Sequence, residues 1–327
     1  MRRFGRFLGR LFLALALGVA GLWAFGPRER VETEIGFDPA QIGAEPGAYL
    51  AEREGQVPGL SPEVAKRIVW AGASGERRTI ALVYLHGFSA TSEEIRPVPD
   101  LVAKAVGANL FYTRLTGHGL DGAALAEARA GDWLEDLAEA LAIGRRLGDR
   151  VYVLATSTGG TLAALGAVHP DLAGAMDGIV FISPNFGIRS AAAGLLEWPL
   201  ARYWVPLIAG AERAFQPLNA EQGRFWTTRY PTVAVMPMAA TVRAVRMADL
   251  SRATVPALFL FSNADQVVSP EATQDAARRW GGPVEVETIV PGPGDDPMAH
   301  VIAGAIMSPG QTETVAARIT GWIAARE

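Results

Sequence analysis

The sequence predicts an α/β fold, built on a mostly parallel sheet with helices on both faces and an inserted helical cap. Three observations predict it. Short apolar runs bounded by turn residues recur along the chain, and stretches of helical length alternate with them. Residues 190–250 then interrupt this alternation. Strands that alternate with helices favour a parallel sheet with both faces covered, because each parallel connection needs a crossover.

The strongest strand pattern is Thr79–Leu85, an almost continuous apolar run. We expect further strands at Arg67–Trp70, Asn109–Thr113, Val151–Ala155, Gly178–Ile182 and Ala257–Phe261, and a strand nearer the sheet edge at Val284–Ile289. The helices between them are expected at Leu101–Val106, Trp133–Leu147, Gly160–Val168, Pro270–Trp280 and Glu313–Ala325. Residues 31–65 are polar and rich in Gly and Pro, which predicts a linker with a short helix. The core domain is then 66–189 together with 251–327.

Residues 190–250 are too many for a simple crossover between two strands, so we interpret them as an inserted, mostly helical cap. The segment carries a dense set of large apolar side chains. They either form the core of the cap or line an acyl pocket. Trp198, Trp204 and Trp226 are the candidates for substrate binding. The cap arginines either face solvent or anchor an anionic substrate, and the sequence selects none of them.

Residues 1–30 have the pattern of a membrane segment. Four arginines up to Arg10 precede an apolar run from Leu11 to Phe25, and Gly26-Pro27 ends it. With Phe7 and Leu8 added, the run is long enough to span a bilayer. A signal peptide could be cleaved after Ala20, but the apolar run continues to Phe25, so we favour an uncleaved anchor. The excess of arginines before the run predicts a cytoplasmic N-terminus and a periplasmic or extracytoplasmic body, which would be secreted if the segment were cleaved. The alternative is a buried N-terminal helix.

The composition excludes several classes of protein. The chain has 327 residues, no Cys and a net charge of −4. A disulfide scaffold, a zinc ribbon and a thiol nucleophile are therefore ruled out. The N-terminal segment is basic, so the remaining body is more acidic than the whole chain, and nucleic acid is not an expected partner.

A serine stands at a sharp turn between a strand and a helix. The strand Val151–Ala155 leads into Thr156-Ser157-Thr158-Gly159-Gly160 and then a helix, which is the setting of a nucleophile elbow. The usual pattern is G-x-S-x-G, and here Ala155 replaces the first Gly. The alternative is an ordinary Ser or Thr cap of a crossover helix.

A second motif, Leu85-His86-Gly87-Phe88-Ser89, ends the Thr79–Leu85 strand. An oxyanion hole needs two N–H donors aimed at one charge, and the N–H groups of Phe88 and Thr158 are the candidates. His86 precedes the serine, against the chain order that accompanies such an elbow, so we interpret it as a structural residue. His118 lies between two glycines and is interpreted as a loop residue, and His169 as the end of a helix.

The base and the acid are expected later in the chain. Asp265 follows the Ala257–Phe261 strand, and His300 follows the last strand. The order Ser157, Asp265, His300 matches the Ser-acid-His order of the α/β-hydrolase triad. Asp295 and Asp296 compete for the acid role, but we expect their loop to be a tight, solvent-facing turn that does not reach the imidazole.

These motifs, LHGF, TRLTGHG, TSTGG, SNADQVV and the AHV around His300, resemble in order and spacing those of serine hydrolases of the α/β-hydrolase superfamily. The chain is most similar to the capped group of monoacylglycerol lipases, carboxylesterases and serine aminopeptidase-like proteins. The resemblance covers about Val69 to Glu327. It implies the α/β-hydrolase fold with an eight-stranded, mostly parallel sheet, a Ser nucleophile, no metal and no organic cofactor.

Three functions remain open from the sequence. The first is hydrolysis of carboxylic esters, such as acyl glycerides or other lipid-like esters, at a membrane. The second is peptide cleavage or acyl transfer with the same triad. The third is a non-catalytic binding module on the hydrolase fold. The expected partner is a small-molecule or lipid ester, and the oligomeric state is not predicted.

Overall fold

The computed structural model of the protein describes residues 2–327, and Met1, the first residue of the predicted membrane segment, lies outside the described residues. The strands are β1 (Arg67–Val69), β2 (Arg78–Leu85), β3 (Asn109–Tyr112), β4 (Gly148–Thr156), β5 (Gly178–Ile182), β6 (Glu212–Ala214), β7 (Arg229–Pro231), β8 (Ala257–Phe261) and β9 (Val284–Thr288). The helices are α1 (Arg2–Phe25), α2 (Pro46–Gly55), α3 (Val98–Val106), α4 (Gly122–Glu127), α5 (Ala130–Leu147), α6 (Thr158–Val168), α7 (Ala201–Ala209), α8 (Ala220–Phe225), α9 (Val235–Met247), α10 (Pro270–Arg279) and α11 (Thr312–Ala324).

The main sheet is mostly parallel and has seven strands in the order β1-β3-β2-β4-β5-β8-β9. Only the edge strand β1 runs antiparallel to its neighbour. The resemblance implies eight strands, so the main sheet is one strand short. The physical reason is that the segment before Arg67 is polar and interrupted by Gly and Pro, and it forms turns and α2 instead.

Helices cover both faces of the sheet, as the sequence pattern predicts. Alternate residues of β2 point to opposite sides. Val83 belongs to the apolar cluster formed with α5, α6 and α10, and Leu82 to the cluster formed with α3 and α11. Helices therefore cover both faces of the seven-stranded sheet. The loops with the polar motifs lie at the carboxyl ends of the parallel strands.

The segment predicted as a cap contains α7, α8 and α9. It also contains a short antiparallel hairpin, β6–β7, which the sequence does not predict. The strands of this hairpin are three residues long and carry Arg, Glu and Pro, so they lack an apolar run that would mark them. The cap's boundaries, like the other domain limits, stay predictions.

The N-terminal apolar segment forms one continuous helix. At 1.5 Å per residue, the 24 residues of α1 extend about 36 Å. The window Arg6–Phe25 has a mean hydropathy of 1.8, and none of it is buried. Helix α1 is thus long and apolar enough to cross a membrane, although a signal sequence has the same properties.

The chain that follows α1 is bound to the body of the protein. The carbonyl of Pro27 accepts from Leu200 N–H at 2.8 Å, and Glu29 forms an ion pair with Arg202 at 2.6 Å. Farther along, the ring Nε2 of His169 lies 2.7 Å from the Thr33 carbonyl oxygen. The chain after α1 therefore lies first against the start of α7 and then against the end of α6.

Candidate active site

Ser157 occupies the sharp turn between β4 and α6. Its φ is 50°, in the left-handed region that non-glycine residues rarely adopt. The surrounding backbone holds it there, because Ser157 N–H donates to Ile182 O at 3.0 Å and Ser157 O accepts from Asn185 N–H at 2.9 Å. A strained serine held in place by its neighbours is the arrangement that the sequence predicts for a nucleophile elbow.

The residues on either side of the turn allow close packing. A Cβ at Gly159 would lie 2.3 Å from the carbonyl oxygen of Leu85, so only glycine fits between α6 and β2. Ala155 is fully buried and pairs in register with Leu85 and Phe181 on the neighbouring strands. The replacement of the first Gly of the pattern by Ala155 is therefore accommodated within the sheet.

The structure brings Ser157, His300 and Asp265 into one hydrogen-bonded chain. His300 Nε2 lies 3.1 Å from Ser157 Oγ, and His300 Nδ1 lies 2.8 Å from Asp265 Oδ2. Because an ionised carboxylate only accepts, Nδ1 carries the proton and Nε2 is left to accept from the serine hydroxyl. All three residues are buried, with His300 the most exposed at 9%.

Asp265 is fixed from two directions. Its Oδ1 accepts from the N–H groups of Val267 and Val268 at 2.7 and 2.9 Å, which leaves Oδ2 for His300. The next residue, Gln266, donates its N–H to Met298 O at 2.9 Å. This backbone bond ties the loop of the acid to the loop of the histidine, and it places the two side chains against each other.

The competing carboxylates bind backbone. Asp296 Oδ2 accepts from the N–H groups of His300 and Val301, and Asp295 accepts from Gly292 and Gly310 N–H. The expectation that this loop faces solvent is wrong for Asp296, which is buried. Its carboxylate turns inward because three main-chain N–H groups of the loop converge on it, a pattern that Asp favours in turns.

The two candidate oxyanion donors lie on adjacent segments. A Cβ at Gly87 would lie 3.1 Å from Ser157 Cβ, so the segment leading to Phe88 passes directly beside the serine. Within residues 2–327, neither Phe88 N–H nor Thr158 N–H donates to a protein acceptor. Thr158 also begins α6, where the helix dipole favours negative charge. Both donors are thus available for a bound oxygen.

The other histidines have separate environments. His86 donates from Nδ1 to Gly87 O at 2.9 Å and accepts at Nε2 from Leu115 N–H at 3.1 Å. Burial lowers the pKa of His86 to about 3 and that of His118 to about 4, so both rings are neutral at pH 7. Their rings lie 5.0 Å apart. The contacts of His86 fit the structural role expected for it. His118 is expected as a loop residue, and the structure places it fully buried.

The balance of charges around His300 favours its protonated form. Burial lowers its pKa, but the hydrogen bond to Asp265 and the negative charges of Asp265, Glu94 and Asp296 outweigh burial, so the net pKa is raised above 6.5. The net effect favours transfer of a proton onto the imidazole. Within the described residues, no group of three or more His, Asp and Glu side chains is arranged to hold a metal ion.

The three cap tryptophans occupy two different places. Trp198 and Trp204 stack edge-on with their ring centres 6.3 Å apart, and Trp198 is half exposed. Trp226 is almost buried and lines an open pocket of about 320 Å³ with Val64, Thr91 and other residues. The next residue, Thr227, donates its N–H to Ser89 O at 2.7 Å, beside the segment of Phe88. Their role in substrate binding stays a prediction.

Two residues of this region carry no signal in the sequence that marks them as part of the site. Tyr230 of β7 packs its ring against Phe88 with centres 5.4 Å apart, and the sequence offers only a generic aromatic residue of the cap. Glu94 is buried beside Gly87, and its Oε2 accepts from Gly87 N–H at 2.7 Å. No sequence signal separates Glu94 from the adjacent Glu93, which forms ion pairs with Arg67 and Arg96 nearer the surface.

The fold and this arrangement define a serine hydrolase of the α/β-hydrolase superfamily. The chain belongs to the Hydrolase_4 family, serine aminopeptidase S33, whose model matches residues 76–291. The matched range includes Ser157 and Asp265 and ends before His300.

Similar proteins point to lipases and esterases. A thermostable monoacylglycerol lipase from Bacillus sp. (strain H-257) is 28% identical over 197 residues, which cover 60% of this chain and 74% of that protein. A solved chain from a study of the metagenome-derived lipolytic enzymes LipS and LipT has a TM-score of 0.66 at 21% identity, covering 81% of this chain and 99% of its own. A soluble variant of the monoglyceride lipase of Saccharomyces cerevisiae has a TM-score of 0.60 at 12% identity, covering 80% and 90%. The solved structures show that the fold is shared. The chain is a lipase- or esterase-like α/β hydrolase.

Proposed function

We propose that the protein hydrolyses carboxylic esters, an acyl glyceride or a similar lipid-like ester, through a triad of Ser157, His300 and Asp265. The observation that carries the proposal is the continuous hydrogen-bond chain from Ser157 Oγ through both ring nitrogens of His300 to Asp265 Oδ2. A serine hydroxyl is a poor nucleophile until a neutral imidazole accepts its proton, and this geometry supplies that base.

The reaction follows from the positions of the groups. As Ser157 Oγ attacks the ester carbonyl carbon, its proton passes to His300 Nε2, and Asp265 stabilises the imidazolium. The developing oxyanion accepts from Phe88 N–H and Thr158 N–H. His300 then returns the proton to the departing alcohol, which leaves an acyl-Ser157 ester. Water deprotonated by His300 hydrolyses that ester, releasing the acid and restoring the serine.

The lipid-like substrate is inferred from two lines of support. The relative from Bacillus is named a monoacylglycerol lipase, and the cap of this chain is rich in apolar side chains. Trp198, Trp204 and Trp226 are proposed to contact the acyl chain. Each CH₂ group transferred from water to such a surface contributes about 0.8 kcal/mol of binding, so an apolar cap favours longer acyl chains.

A second candidate is cleavage of a peptide, since the family's description is serine aminopeptidase. The same triad would also transfer an acyl group to an alcohol in place of water. A non-catalytic role on the hydrolase fold is disfavoured, because it would leave a hydrogen-bonded Ser, His and Asp without a function.

We further propose that α1 anchors the protein in a membrane with its body in the periplasm or outside the cell. The exposed apolar window Arg6–Phe25 supports an anchor, and the arginines that precede it support the orientation.

The test is a panel of p-nitrophenyl esters from acetate to palmitate, assayed beside aminoacyl p-nitroanilides. We expect ester turnover to exceed anilide turnover, and Ser157→Ala to abolish it. Ser251→Ala is the matched control, because Ser251 is an exposed serine whose hydroxyl donates to Asp249. Turnover of anilides with no turnover of esters would replace the ester proposal with the peptidase.

A further inference from the structure

Glu94 is a buried carboxyl group that the proposed reaction does not use. Its side chain belongs to a residue only 3% exposed, and among residues 2–327 it forms no ion pair with Lys or Arg. Its partners are neutral instead: Oε2 accepts from Gly87 N–H at 2.7 Å and from the Tyr84 hydroxyl at 3.1 Å. Burying a carboxyl group without a cation costs free energy, so a role for Glu94 at this position is expected.

Through its two partners, Glu94 is connected to both segments that contain the candidate oxyanion donors. Gly87 immediately precedes Phe88. The Tyr84 hydroxyl lies 3.2 Å from Thr156 Oγ1, and Thr156 immediately precedes Ser157. Tyr84 has one hydroxyl proton, so when it donates to the carboxylate it accepts from Thr156. The hydrogen bonds from both segments then end on the same carboxylate oxygen.

Glu94 also lies close to the reacting groups. A Cβ at Gly87 would lie 2.6 Å from Glu94 Oε1 and 3.1 Å from Ser157 Cβ, so the carboxyl and the serine flank the same small space. The titratable groups that act on Glu94 are His300, from the opposite loop, and Tyr84, from β2. The negative charge of Glu94 in turn raises the pKa of His300.

We propose that Glu94 is a positioning residue of the active site: its carboxylate holds the Gly87–Phe88 and Thr156–Ser157 segments in register and stabilises the protonated form of His300. This inference rests on the proposed function. Burial raises the pKa of Glu94 to about 7, against the lowering effects of the Gly87 N–H, His300 and Tyr84. Glu94 is therefore mostly ionised above that pH.

Two substitutions separate the hydrogen bonds from the charge. Glu94→Gln keeps a side-chain oxygen that accepts from Gly87 N–H but removes the charge, whereas Glu94→Ala removes both. We expect Glu94→Ala to lower kcat on p-nitrophenyl butyrate about 100-fold with KM within about twofold, as expected when an oxyanion donor is displaced. Glu94→Gln should lower kcat less than tenfold. Glu93→Gln is the matched control, because Glu93 lies one residue away in ion pairs nearer the surface, and it should behave as wild type.

The second measurement is the titration of His300 followed by NMR. In Glu94→Gln, the midpoint of His300 should move to lower pH by about half a pH unit or more, because a nearby negative charge is gone. A purely structural role would not move it. The titration needs no turnover, so it tests this inference even if wild-type protein hydrolyses no ester, a result that would overturn only the proposed function.

An unchanged His300 midpoint in Glu94→Gln would overturn the inference. So would an active wild-type enzyme whose kcat is retained within twofold in Glu94→Ala. If Glu94→Ala does not fold, the midpoint in Glu94→Gln decides alone.

Discussion

Asp296 is bonded to the main chain of His300, whereas Asp265 is bonded to its ring. Asp296 Oδ2 accepts from His300 N–H at 3.0 Å, and Asp265 Oδ2 lies 2.8 Å from His300 Nδ1. The two carboxylates therefore have separable tasks. In the proposed triad, Asp265 sets the tautomer and charge of the imidazole, and Asp296 holds the backbone of the loop that carries His300.

Substitution of the two carboxylates should separate these tasks. Asp265→Asn should keep the fold but lower kcat about 10⁴-fold, because an amide at this position favours the wrong tautomer of the imidazole. Asp296→Asn should lose far less activity. It should lower Tm, since an amide cannot accept all three main-chain N–H groups that now bind the carboxylate. Steady-state kinetics on p-nitrophenyl butyrate and thermal melts of both variants provide the test.

The reverse ranking would refute the assignment of the acid. If Asp296→Asn proves nearly inactive while Asp265→Asn stays near wild type, then Asp265 is not the triad acid. The assignments of Ser157 and His300 would still stand.

The pH profile of the wild-type enzyme should report the raised pKa of His300. The base acts in its neutral form, so kcat/KM should fall as the pH decreases through that pKa, with a midpoint above 6.5. In Asp265→Asn, the midpoint should move to lower pH, because the hydrogen bond and the charge that favour the imidazolium are both lost. Residual activity measured from about pH 5 to 9 gives both profiles. A wild-type midpoint at or below 6.5 would show that the charges around His300 do not outweigh its burial.

Substitution of a cap tryptophan should show whether its ring contacts the acyl chain of the substrate. If Trp226 lines an acyl pocket, Trp226→Ala should lower kcat/KM for palmitate more than for acetate, at about 0.8 kcal/mol for each CH₂ that loses its contact. The same comparison applies to Trp198→Ala and Trp204→Ala. Equal losses for all chain lengths, together with a lowered Tm, would show that the rings only pack the cap.

The N-terminal helix α1 should be dispensable for catalysis. A chain that begins near Val31 should be soluble and active, because the proposed triad lies wholly downstream. A chain that begins at Pro27 is the matched control, since it keeps the ion pair between Glu29 and Arg202. Membranes from cells that make the full chain should retain the protein after a carbonate wash. A mature N-terminus at Gly21 would identify a cleaved signal peptide instead.

Much of the fold could be predicted, because a buried strand is a short apolar run that is easily recognised in the sequence. Ala257–Phe261 is a strand over the predicted range, and β5 likewise matches its predicted bounds. The hairpin β6–β7 and the short helix α4 could not be predicted, because a few residues with no apolar period carry too little signal. The expectation of eight strands came from the resemblance. The main sheet has seven, because the segment before Arg67 is too polar to form another strand.

The candidate site could be proposed from the sequence where chemistry and chain order coincide. Ser157, Asp265 and His300 each follow a strand, and parallel strands bring their carboxyl ends to one edge of the sheet. The positions of Glu94 and Asp296 could not be predicted, because they depend on burial and on main-chain N–H groups that only the folded chain aligns. A sequence shows that a carboxylate is present but not which hydrogen bonds converge on it.

The most direct test of the account is covalent labelling with a fluorophosphonate, followed by mass spectrometry of the labelled peptide. We expect a single adduct on Ser157, formed in wild type and in Ser251→Ala and absent from Ser157→Ala, because the Ser157 hydroxyl lies within hydrogen-bond distance of the imidazole of His300. Labelling that persists undiminished in Ser157→Ala would contradict it, since the nucleophile would then lie elsewhere.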